Sequence, residues 1–147
     1  MGLFDNIFGG HSANKSLTKA ESFAGILLCA VASDGHISDE EASGLVTIIA
    51  RMKLFENWSG DKFNNMMNRL IGMLKREGLD KFLAKATETL PDELRDTAFA
   101  NACDLVLADG VVEDEEKDFL DKLQKSLDIN GDTALDIVQV MIIKNRG

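Results

Sequence analysis

Two short stretches, ASDGHISDEEA (32–42) and LADGVVEDEEK (107–117), carry nearly the same message 75 residues apart. The same 75-residue spacing separates Leu45 from Leu120, Ile48 from Leu123 and Met52 from Leu127. Across 34–41 and 109–116, five of eight positions are identical. Each copy reads as an apolar helix, an Asp-Gly turn and an amphipathic helix, the last with its apolar residues three and four apart. An internal duplication limits the fold sharply. Both copies must bury the same kind of face, so two related halves are expected, with the two apolar helices packed centrally. An approximate two-fold axis would then bring both acidic turns to related places.

The rest of the chain fits an all-α, compact bundle of about seven helices. It has one Pro, no Tyr and many helix-favouring residues, and no stretch shows sustained period-two alternation. Capping residues and periodicity predict the helices. Ser16 caps the first, which runs through Ser33; Ser38 caps the second, to about Lys53; Ser59 caps the third, to about Arg76. Gly78 breaks the chain before a fourth helix, Leu79 to about Thr89. Pro91 suits the first turn of a fifth, where its missing N–H costs nothing; that helix ends near Ala108. A sixth runs from Glu113 to about Leu127, and a seventh starts after the NGD stretch (130–132) and ends near Lys144.

Residues 1–15 read as a short amphipathic segment with a Gly-containing linker, and 16–147 as a single domain. Leu3, Phe4, Ile7 and Phe8 fall on one helical face of that segment. They suit packing on the core or docking to a partner. Without Lys or Arg among them, an electrostatic membrane anchor is weak. The longest apolar run, Phe23 to Ala32, falls short of the roughly 20 residues a bilayer requires, so no transmembrane segment is expected.

The formal net charge of −9 opposes binding to nucleic acid and to free oxyanions, and favours cations or basic protein faces. Cys29 and Cys103 stand far apart inside apolar runs and read as buried, reduced thiols. With His11 and His36 the only histidines, a Zn site is poorly supplied. No Ser-His-Asp set, Gly-rich phosphate loop or HExxH motif is present, so no enzyme is expected.

The acidic turns resemble the second half of a calcium loop. Asp34, Gly35, Ile37 and Glu41 fit the later template positions, as do Asp109, Gly110, Val112 and Glu116. The first two acids of that template are replaced by Ala30 and Ala32 in one copy and by Leu105 and Leu107 in the other. A standard EF-hand is therefore not expected, because calcium takes about 6–8 oxygens. Two jobs compete for the glutamates. Ser38 and Glu41 form S-x-x-E, a capping box in which hydroxyl and carboxylate satisfy helix-end N–H groups. Alternatively Asp34, Glu41, Asp109 and Glu116 converge on a hard cation, Ca²⁺, Mg²⁺ or Mn²⁺ in preference to Zn²⁺. Glu113 is a poorer cap than Ser, so capping alone accounts less well for Glu116. Asp39, Glu40, Asp114 and Glu115 read as solvated surface acids. Asp104 interrupts an apolar run and needs a partner: either it bonds Asn101 or a Lys or Arg of another helix, the favoured reading, or it points toward the acidic turn.

The paired stretches CAVASDGHISDEE and DLVLADGVVEDEE, with the opening MGLFD, resemble the TerB-like tellurite-resistance family over essentially the whole chain. The resemblance implies a cytoplasmic helical domain of two related halves. It further implies a divalent-metal site at Asp34, Glu41, Asp109 and Glu116, and work alongside other stress-response proteins in complexes at the inner membrane face. Asp104 and the full C-terminal helix in LDIVQVMIIKNRG depart from that pattern. The alternative function is a non-catalytic interaction scaffold whose acids only cap helices.

Overall fold

A computed structural model describes residues 17–32, 37–108 and 110–146. Among them the chain is all-helical, with seven α-helices and no strand. These are α1 (Lys19–Val31), α2 (Asp39–Ile49), α3 (Gly60–Glu77), α4 (Leu79–Thr89), α5 (Arg95–Leu107), α6 (Asp114–Ser126) and α7 (Gly131–Lys144). Short 3₁₀ turns, Lys53–Phe55 and Asp92–Leu94, lead into α3 and α5.

Local chemistry sets most of the boundaries. Ser59 Oγ accepts the Lys62 N–H at the start of α3, and Asn130 Oδ1 accepts the Asp132 N–H at the start of α7. Gly78 has φ +87°, a conformation only glycine adopts without strain. It ends α3 and starts α4 with no loop between them. The sequence places three starts or ends differently from the structure. Thr18, rather than Ser16, caps α1, because Thr18 and Glu21 form a complete capping box. The second helix stops at Ile49, not near Lys53; Met52 is extended, and this lets Phe55 turn into the core. Pro91 precedes a 3₁₀ turn, and α5 proper begins at Arg95.

The expected central pair is present. Helix α1 packs against α5, and also against α2, α3, α4 and α6. Every residue from Ser22 to Ala30 is buried, as befits a helix that is apolar on all sides. Helix α5 packs on α1, α6 and α7. Phe23, Phe55, Phe82 and Phe99 are fully enclosed in one continuous core, each contributing about 1.5–3 kcal/mol by leaving water. Close approach of α4 to α1 depends on Gly25, where a Cβ would stand 3.1 Å from Phe82 Cζ. Beside the core, Trp58 packs edge-on to Phe55 and beneath the Lys62 ammonium, 4.1 Å from the ring centroid.

The duplication survives in the helix boundaries. Asp39 and Asp114 open α2 and α6, again 75 residues apart. Burial does not keep the same register. Helix α2 buries Leu45 and Ile49, while Ile48 and Met52 are half-buried. Helix α6 buries Phe119 and Leu123, with Leu127 behind them and Leu120 half-buried. The second copy is rotated by about one residue, roughly 100°. Its Phe119 enters the core where the first copy has the exposed Gly44.

Candidate functional site

The site expected from sequence is built on the starts of α2 and α6. At α2 the Ser38 N–H donates to Glu41 Oε1 (3.0 Å), and the Glu41 N–H donates to Ser38 Oγ (3.0 Å). At α6 the Glu113 N–H donates to Glu116 Oε1 at 2.8 Å. The two glutamates therefore do the same local job at equivalent positions, although Ser is replaced by Glu in the second copy. The expectation that capping accounts less well for Glu116 is corrected: its carboxylate reaches the same backbone N–H as Glu41 does. Gly110 has φ +78°, and its N–H donates to Leu107 O at 3.1 Å, closing the second turn tightly. Asp34 and Asp109 lie outside the described residues, as do Leu3, Phe4, Ile7 and Phe8.

A third capping box shows what such a carboxylate can do. Glu21 Oε1 accepts the Thr18 N–H at 2.9 Å, while its Oε2 is paired with the Arg69 guanidinium. One oxygen caps and the other holds a positive charge. Sequence reading missed this pair, although T-x-x-E at 18–21 signals the cap. Neither Glu41 nor Glu116 is paired with a cationic side chain among the described residues. Asp39, Glu40, Asp114 and Glu115 are exposed, as expected; Asp114 has a loose contact to Lys117 at 3.9 Å.

Tested as a metal centre, the described residues supply one of the two expected carboxylates at each turn, Glu41 and Glu116. Among them no three His, Cys, Asp or Glu side chains gather at one point. A hard cation takes about six or more oxygens, so a complete set also requires Asp34, Asp109 and backbone or water oxygens.

Asp104 finds its partners on α7 and the residue after it, not in Asn101. Lys144 Nζ donates to Asp104 Oδ1 at 3.1 Å and Asn145 Nδ2 at 2.8 Å. Asn101 instead donates to Thr97 O within its own helix, at 2.9 Å. The Asp104 side chain keeps 24% of its surface exposed and lines an open cleft of about 520 Å³ with Ile48, Met52 and Leu105. A second cleft of about 520 Å³ lies beside the first turn, lined by Ala32, Ile37, Leu74 and Leu79.

The two thiols are buried and free. Burial pushes Cys29 from 9.0 up to about 12. Cys103 also rises to about 12, through burial first and the neighbouring Asp104 charge second. Neither is poised as a nucleophile, which requires a thiolate. No helix among the described residues is long and apolar enough to cross a membrane. Comparisons with protein-family models, curated proteins and solved structures found no match.

Proposed function

We propose that this chain is a stress-response accessory protein of the tellurite-resistance type, non-catalytic, which uses its two acidic turns to hold a divalent cation and its helical body to hold partner proteins. The observation that carries the cation reading is Glu21. Its carboxylate caps a helix with one oxygen and holds a positive charge with the other, so capping by Glu41 and Glu116 leaves a second oxygen on each for an ion. Asp34 and Asp109 would complete the donor set, and oxygen donors select Ca²⁺, Mg²⁺ or Mn²⁺ over Zn²⁺. A chain of charge −9 repels a free oxyanion, so tellurite itself would be handled indirectly or through a bridging cation. Partners would be other stress-response proteins, gathered at the inner membrane face.

The test is a titration of metal-free protein with Ca²⁺, Mg²⁺, Mn²⁺ and Zn²⁺, followed by heat release and melting temperature. A specific ion at 100 times its dissociation constant adds about 2.7 kcal/mol of stability. The gain should vanish in the Asp34→Asn, Asp109→Asn double variant. Gain that survives both substitutions moves the ion elsewhere.

A second reading, a plain interaction scaffold, is favoured by one observation: Oε1 of both Glu41 and Glu116 is already engaged by a helix-end N–H. No response to any of the four cations would leave that reading standing.

A further inference from the structure

Helix α7 is apolar on two sides. Ala134 is buried and Ile137, Val138 and Met141 are half-buried on the side that meets the core. Leu135 is 56% exposed, Ile142 44% and Ile143 63%. At about 100° per residue, these three share one strip with the exposed Gln139, turned away from the core side. A helix apolar on both faces is normally covered on both.

The charges along this strip indicate what covers it. Asp132 and Arg146 lie seven residues before and after Gln139, both exposed, and neither forms an ion pair among the described residues. The strip is thus acidic at one end and basic at the other, with an apolar middle that the exposed Asp136 flanks beside Ile143. Such a pattern is its own complement when reversed. A second copy laid antiparallel across Gln139 sets Asp132 against the partner's Arg146, and Leu135 against the partner's Ile143. A parallel pairing would set like charges together at both ends. We propose that this face of α7 is a docking surface for a second copy of this chain, packed antiparallel about Gln139 in an isologous, two-fold interface. The apolar centre supplies the affinity, and the terminal charges choose the direction.

Sedimentation equilibrium on the full chain, from about 1 μM to about 1 mM, spans the affinities such a contact can have. Wild type should dimerise. Ile142→Glu should weaken the dimer by about 100-fold or more, because the symmetric interface loses two buried apolar groups and sets each new carboxylate at the height of Asp136 of the partner subunit. Arg146→Asp should weaken it by about 10-fold, since two exposed pairs become repulsive. The double variant Asp132→Arg, Arg146→Asp should restore wild-type affinity to within about threefold, the pairing being reversed at both ends. The charge variants sit at the exposed ends of the helix, so they decide the matter even where Ile142→Glu disturbs folding; circular dichroism checks each. A wild type that stays monomeric throughout overturns the proposal. So does a dimer indifferent to Ile142→Glu, or a double variant no tighter than Arg146→Asp alone. A chain that dimerises only after removal of residues 1–10 overturns it too, and assigns the strip to the N-terminal segment.

Discussion

The two copies of the repeat share a plan and live in different surroundings. Helix α1 is enclosed by α2, α3, α4, α5 and α6. Helix α5 leaves Asn101, Asp104 and Leu105 half-buried. The clearest contrast is at one pair of equivalent positions, Cys29 and Asp104, 75 residues apart. Cys29 is fully buried in the middle of the bundle. Asp104 faces α7 and takes two hydrogen bonds from Lys144 and Asn145. The same place in a duplicated helix holds a thiol where the site is closed, and a carboxylate where the site is partly open and Lys144 of α7 stands across from it. Duplication copies an element but not its neighbours.

The largest effect should come from exchanging these two residues. Cys29→Asp puts a carboxylate in a closed apolar site and should cost at least about 4 kcal/mol, enough to unfold a marginal domain. Asp104→Cys, the reverse change, should cost only about 1 kcal/mol, as it removes hydrogen bonds at a partly solvated site. Urea denaturation measures both; equal losses would mean that the two positions are not differently enclosed.

A smaller effect should appear at high pH. Both thiols have folded-state values raised to about 12 from 9.0. The unfolded chain therefore loses its thiol protons first as pH rises, and stability falls. The contribution is complete below pH 9 and disappears as pH climbs from 9 toward about 12. Urea midpoints should decline over that window, and the Cys29→Ala, Cys103→Ala variant should decline less. Slow thiol labelling at pH 8 would agree, since a protonated thiol is unreactive.

The smallest effect concerns the caps. Glu113→Ser gives the second copy the N-cap of the first and should raise stability by up to about 1 kcal/mol; Ser38→Ala should lower it by about 1 kcal/mol. Thermal melts of the pair test whether the two boxes are energetically alike. If Glu113→Ser gains nothing, Glu113 already caps as well as Ser38 does.

What the sequence determined by itself is local. Ser38, Ser59 and Gly78 mark boundaries because each acts on backbone groups a few residues away, and such chemistry needs no knowledge of the fold. The repeat and the apolar run of α1 also announced a central helix pair. Thr18 is just as legible, since its capping box is written in four consecutive residues. The tertiary structure decided the rest. Phe119 and Leu123 face the core in α6, whereas Leu45 and Ile49 do so in α2, because each helix turns to the neighbours it meets. Asp104 is bound by residues 40 and 41 positions later, a distance over which no pattern along the chain reports contact. The same holds for the outer strip of α7: only the packing of α7 onto α5 shows which of its apolar residues the bundle leaves uncovered.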